Sequence, residues 1–286
     1  MKDQNASVLS DALFYAQFLK IAIEFHKDPK NAQNLNPTQD QYPEFPTGYK
    51  LLYNIQMNDT PPSDNPRVPS PTPTPTHFGF IAIDDNHDLV VAIRGTQTIP
   101  EEKIDAETAL KPWISEGQAE VNVERGFRDL YDTLQLWYPV TNQVEDKDAI
   151  LAAPFKTITM IGHSLGSSLV TLYGAHVAAA KKQNKNVIVY TLASPRVGDK
   201  TFVDYYQKAG PQTYRIYNEP DTVPNSPDSP RDTYKHVLAE EVPVNSLSYP
   251  WIAQYEACYH SLYTYLFLLG ASKQGIIDHG CLAPVH

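Results

Sequence analysis

Cysteine is almost missing from this chain of 286 residues: only Cys258 and Cys281 occur. That scarcity excludes a disulfide-dense scaffold and a zinc centre built on cysteine pairs. Two cysteines say nothing about compartment, and one C-terminal disulfide or two free thiols stand as equal readings. Long apolar runs are lacking too. The longest, Leu262 to Leu269, falls well short of the roughly eighteen residues a membrane span needs, so no transmembrane segment is expected. Positive charge is in the minority, with 23 Lys and Arg against 33 Asp and Glu, a formal net charge of −10. A field of that sign repels phosphate backbones, which excludes nucleic acid as a partner and disfavours strongly anionic membrane surfaces. No His-x-Glu or cysteine-pair spacing of a metal site occurs, so neither a metal nor a cofactor is expected.

What is present fits one large α/β domain spanning residues 1–286. Hydrophobic residues make up 42 % of the chain, enough for a sizeable core. The stretch from about Val8 to Phe25 reads as an amphipathic helix with Leu13, Phe14, Phe18, Ile21 and Phe25 on one face. Gln17, Lys20 and Glu24 interrupt it, and no small-residue cleavage site follows, so it does not read as a classical signal peptide. Tyr49 to Gln56 reads as a strand. Pro61, Pro62, Pro66, Pro69, Pro71, Pro73 and Pro75 then forbid helix and central strand alike, giving a loop insert over about 58–76.

Beyond the insert the pattern is regular. Phe78 to Ile83 and Leu89 to Ile93 form a hairpin around Asp84-Asp85-Asn86. A helix is expected from Gly126 to about Trp137. Strands at Phe155 to Ile161, Val187 to Leu192 and Thr213 to Tyr217 alternate with helices at Leu165 to Lys182 and Thr201 to Lys208. Such alternation implies βαβ units and a mostly parallel central sheet with helices on both faces.

The chemistry concentrates at Gly162-His163-Ser164-Leu165-Gly166. This Gly-x-Ser-x-Gly run begins where a β-branched strand ends and an alanine-rich helix starts, the context a nucleophile elbow requires. Ser164 is the expected nucleophile of a serine hydrolase, raised at the carboxyl end of the sheet over a helix N-terminus that favours developing negative charge. The N–H of Leu165 would supply one oxyanion donor.

These residues, with four further stretches in order, resemble the class 3 (fungal-type) lipase family of the α/β-hydrolase superfamily. The stretches are Ile93-Arg94-Gly95-Thr96, Arg125-Gly126-Phe127, Ser194-Pro195-Arg196-Val197-Gly198-Asp199, and Asn218-Glu219-Pro220-Asp221-Thr222-Val223-Pro224. The similarity runs over roughly residues 78–269, is weak at the N-terminal helix and is absent from the proline-rich insert. It implies an α/β-hydrolase fold and hydrolysis of acylglycerol esters at a lipid–water interface through an acyl-enzyme. Phospholipase, galactolipase and feruloyl esterase activities share that chemistry, because loops set the pockets. The resemblance also implies secretion, with a cytoplasmic location as the alternative.

A serine needs a base, and the base needs an acid to hold its tautomer, in the chain order Ser, acid, His. Asp221, just past the strand ending at Tyr217, is the expected acid. Asp199 is the competitor, but its turn looks structural in the resembling family. Four histidines follow Asp221. His286 is terminal, and His279 lies in a polar tail. His260 resembles the family's catalytic histidine, with Tyr263 three residues on, while His236 resembles a non-catalytic position before a strand. Thr96 matches the family's second oxyanion residue. Residues 97–113 have no place in the sheet and correspond to the family's lid, with Ile104, Leu110, Trp113 and Ile114 as an apolar stripe.

Overall fold

The computed structural model describes residues 2–31, 33–58, 74–95, 109–113, 120–180, 185–228, 233–272 and 280–281. Thr96, His279, His286, most of the proline-rich insert (59–73) and most of the lid segment (96–108) lie outside the described residues.

The N-terminal helix, Lys2–Lys27, lies against the sheet through Ala12, Ala16, Phe18, Leu19, Ala22 and Phe25, all essentially inaccessible. Of the expected face, Phe18, Ile21 and Phe25 are buried and Leu13 packs against the same cluster, while Phe14 remains 47 % exposed. Ala12 and Ala16, at i, i+4 spacing, complete the contact and let the helix backbone approach the sheet closely. By length and composition Ala6–Lys27 is long and apolar enough to cross a membrane, which departs from the expectation that no segment is; here its apolar side packs into the core.

Strands β1 (Tyr49–Asn58), β2 (Pro75–Asp84) and β3 (Leu89–Ile93) form an antiparallel meander. Pro75 and Thr76, read from sequence as loop, pair with the end of β1 instead. The turn between β2 and β3 is the expected one, with Asp84 Oδ1 accepting from the Asn86 and Asp88 N–H groups. Next come β4 (Leu110–Pro112) and β5 (Asn122–Glu124), paired as a small separate ribbon. Leu110 is therefore extended, and Trp113 packs edge-on to Tyr131, Phe202 and Tyr205, so neither lies on a helical stripe.

Glu124 caps the helix Arg125–Asp132 by accepting from Phe127 N–H at 2.7 Å. This helix stops five residues before the expected Trp137. Thr133 ends it, its hydroxyl donating to Leu130 C=O at 2.7 Å and accepting from Asn58 N–H at 3.0 Å, which ties the chain back to β1. Leu134 and Leu136 then alternate into the core with period two, and Gln135–Trp137 becomes β6 beside β1, followed by β7 (Val144–Asp146).

The parallel part follows: β8 (Thr157–His163), the helix Leu165–Ala180, β9 (Asn186–Leu192), the helix Lys200–Ala209, β10 (Gln212–Asn218) and β11 (Glu240–Val244). Among the described residues the main sheet has nine strands in the order β11-β10-β9-β8-β3-β2-β1-β6-β7, parallel from β11 to β3 and antiparallel beyond. One face carries the helices Arg125–Asp132, Leu165–Ala180 and Lys200–Ala209; the other carries the N-terminal helix and the helix Leu262–Leu268. The sheet's parallel centre directs the carboxyl ends of β3, β8, β9 and β10 to one side, where α/β sheets place their ligands.

Candidate active site

The turn after β8 is set by two glycines. A Cβ on Gly162 would stand 2.3 Å from the Gly166 carbonyl oxygen, and one on Gly166 would stand 2.1 Å from that of Ile93. With the strand and helix that close, Ser164 is held at φ +57°, a left-handed conformation that costs a non-glycine residue about 1–2 kcal/mol. The strained peptide is pinned to β9: Ser164 N–H donates to Leu192 C=O at 2.9 Å, and Ser167 Oγ lies 2.8 Å from both the Gly162 and Leu192 carbonyls. Leu165 opens the following helix, so its N–H has no acceptor within the helix and lies at the positive end of the dipole, next to Ser164.

Three side chains from three elements converge here. Ser164 Oγ is 2.8 Å from His260 Nε2, and His260 Nδ1 is 2.9 and 3.2 Å from Asp221 Oδ2 and Oδ1. The carboxylate can only accept, so His260 carries its proton on Nδ1 and presents the Nε2 lone pair to the serine hydroxyl. Asp221 has no exposed side-chain surface. Its charge is compensated by hydrogen bonds: besides His260, Oδ2 accepts from the Tyr265 hydroxyl at 2.8 Å and Oδ1 from Val223 N–H at 3.0 Å. Tyr265 OH in turn accepts from Asn218 N–H at 2.9 Å, while the Asn218 amide bridges Ser246 Oγ and Tyr259 C=O. Burial drives the Tyr265 phenol well above its ordinary range, so it stays a donor.

His260 sits at the end of the short helix Glu256–Tyr259, which two ties hold in place. Glu256 accepts from the Thr222 hydroxyl and N–H, joining it to the loop of Asp221. Cys258 is bonded to Cys281, with Cα atoms 5.2 Å apart, so the two-thiol reading fails.

The competing residues have other work. Asp199 caps the helix Lys200–Ala209, accepting from the Thr201 and Phe202 N–H groups and from the Asn122 amide. His236 donates from Nε2 to Pro224 C=O at 2.8 Å; burial, then the Arg215 guanidinium, lower its pKa to about 4. It lines a cavity of about 320 Å³ with Arg215, Tyr217 and the Asp221 loop, which Ser164 and His260 do not line. Thr96 lies outside the described residues, but β3 pairs Ile93 with Gly162, so the strand leading to it ends beside the elbow. Sequence reasoning assigned no role to Tyr265 or Asn218; over the ring of Tyr263, the tyrosine it singled out, lies Lys27. Among the described residues no group of three or more His, Cys, Asp or Glu side chains is arranged to hold a metal ion.

Residues 90–230 match the family described as Lipase (class 3). Two curated relatives are a chloroplastic phospholipase A1-Igamma2 of Arabidopsis thaliana, 31 % identical over 52 % of this chain and 34 % of its own, and a phospholipase A1-II 3 of Oryza sativa subsp. japonica, 30 % identical over 70 % and 52 %. The chain thus spans about half or less of the length of these relatives. A lipase from Rhizopus microsporus var. chinensis superimposes with a TM-score of 0.55 at 21 % identity, over 82 % of this chain and 75 % of that one. A Rhizomucor miehei lipase propeptide complex gives 0.57 at 18 % identity, over 94 % and 79 %. The fold is that of the α/β-hydrolases. Residues 90–230, just under half of the chain, thus carry the likeness to the class 3 lipase family.

Proposed function

We propose that the protein hydrolyses carboxylic esters of lipids through an acyl-enzyme on Ser164. The observation that carries this reading is the unbroken hydrogen-bond chain from Ser164 Oγ through His260 to Asp221. In the proposed cycle His260 Nε2 takes the serine proton as Oγ attacks the ester carbonyl, and returns it to the departing alcohol. Asp221 holds the Nδ1–H and stabilises the imidazolium. The oxyanion is received by the N–H of Leu165 and by Thr96. Water then repeats the attack on the acyl-enzyme and frees the acid.

The substrate class we favour is acylglycerol at a lipid–water interface, with residues 97–113 as the lid over the site. A second reading, phospholipase A1, is favoured by one observation: the plant relatives bear that name. Single-domain organisation over 1–286 remains part of the proposal. The test is a comparison of purified protein and Ser164→Ala on triacylglycerol emulsions, phosphatidylcholine vesicles and p-nitrophenyl butyrate. Release of acid from at least one lipid, lost in Ser164→Ala, is expected. Hydrolysis of none of the three, or hydrolysis retained without Ser164, would overturn the reading; acid release from vesicles alone would select the phospholipase.

A further inference from the structure

His163, the residue immediately before the nucleophile, is not needed to make the elbow, since the glycines on either side of the turn do that. It is nonetheless buried, 8 % exposed, and uses its ring for something else. As the last residue of β8 it shares a face with Ile161, the face on which the N-terminal helix and the helix Leu262–Leu268 pack. Its Nε2 lies 2.8 Å from the main-chain carbonyl oxygen of His260, and its ring packs on the His260 ring with centroids 4.8 Å apart and planes 36° apart. The edge of Tyr265 closes the other side at 5.7 Å.

We infer that His163 is a positioning residue that ties the backbone of the base to the strand carrying the nucleophile. This rests on the proposed serine-hydrolase reading of the site. A carbonyl oxygen only accepts, so His163 must hold its proton on Nε2 and donate. His260 is then gripped at two points by consecutive residues of one chain, its ring Nε2 by Ser164 and its carbonyl by His163. Adjacent Cα atoms are a fixed ~3.8 Å apart, so the two grips cannot drift independently. The arrangement answers a weakness of the fold. His260 follows a helix of only four residues and precedes another by a single residue, Ser261, so its own segment has little rigidity to offer. Asp221 fixes the far edge of the ring; without the His163 bond nothing on β8 fixes where the base's backbone stands. Burial keeps the His163 ring neutral, which preserves one donor and avoids a second charge beside the imidazolium of the cycle.

Three forms of the full chain test this on p-nitrophenyl butyrate, with Ser164→Ala as the blank. His163→Phe keeps the ring and deletes the donor; His163→Gln restores an N–H donor without the ring. A base displaced by a fraction of an ångström slows the chemical step, not substrate binding, so His163→Phe should lower kcat about 10- to 100-fold with KM within about twofold. His163→Gln should recover most of that loss. Loss of kcat equal in both variants, or a His163→Phe enzyme within twofold of wild type, would overturn the inference. In the unsubstituted protein, long-range ¹⁵N–¹H imidazole correlations should place the His163 proton on Nε2; a proton on Nδ1 would overturn it whatever the variants do. Failure of the underlying reading looks different, because activity would then survive Ser164→Ala.

Discussion

A methyl group on Gly166 is the smallest perturbation that should disable the proposed hydrolase. The added Cβ would stand 2.1 Å from the Ile93 carbonyl oxygen and 2.8 Å from the Arg94 carbonyl carbon and oxygen. All three are main-chain atoms, so no side chain can rotate away. Ordinary contact begins at roughly 3.5 Å, so the helix Leu165–Ala180 and the end of β3 must separate by ~1 Å. Overpacking of that kind costs about 1–3 kcal/mol in stability. The larger effect is on rate, because the same displacement parts the nucleophile from the loop that leads to Thr96. A misplacement of ~1 Å in catalytic geometry is worth about 10²-fold. Gly166→Ala should therefore fold with a midpoint a few degrees lower and lose about two orders of magnitude in kcat/KM on p-nitrophenyl butyrate, read beside a thermal melt. An alanine variant with unchanged midpoint and kcat/KM within twofold would refute the argument that β3 and the elbow are in direct contact.

Three further outcomes follow from the same geometry. Tyr265→Phe removes a hydroxyl that donates to Asp221 and accepts from Asn218 N–H, leaving a buried amide unpaired; the stability loss should be about 2 kcal/mol in urea, with kcat reduced, whereas Tyr263→Phe should leave kcat near wild type. Removing the disulfide as Cys258→Ala with Cys281→Ala opens a loop closed over a sequence separation of 23, worth about 3 kcal/mol, so the melting midpoint should fall by several degrees and reduction of the wild type should reproduce the fall. Stability should also decline in mild acid. His236 has a pKa of about 4 when folded against 6.5 when unfolded, so between those values the unfolded chain binds the extra proton. Stability is full above about 6.5 and is lost as pH falls towards 4, by up to about 3 kcal/mol from this histidine; buried His163 acts in the same direction. Denaturation midpoints measured at pH 7.5 and 4.5 that are equal would contradict this.

How much of this was legible in the sequence depends on how local each feature is. The elbow was fully legible, because Gly162, Ser164 and Gly166 act within five residues and the strand and helix around them have strong periodicity. Asp221 was legible as the candidate acid from its place after β10; the competing Asp199 was set aside on resemblance alone, and its capping of the next helix supplies the physical reason. His260 against His236 rested on resemblance, since proximity to Ser164 across 96 residues is a tertiary fact. Misreadings share one cause, a local pattern overridden by packing. Gln135–Trp137 continued a helical composition until Thr133, tied to Asn58, ended it. On the N-terminal helix the expected face holds for Phe18, Ile21 and Phe25, and Phe14 alone was misplaced, left at the rim of the contact. The role of Tyr265 was invisible because it needs the register of β10 and the helix Leu262–Leu268 together.

The account stands on Ser164 being a nucleophile activated by His260, and covalent capture tests that most directly. A fluorophosphonate ester should add once per chain, and peptide mapping by mass spectrometry should place the adduct on Ser164. Labelling should vanish in Ser164→Ala, slow by orders of magnitude in His260→Ala, and proceed at near the normal rate in His236→Ala. An adduct on another residue, or labelling that fails in His236→Ala but persists in His260→Ala, would contradict it.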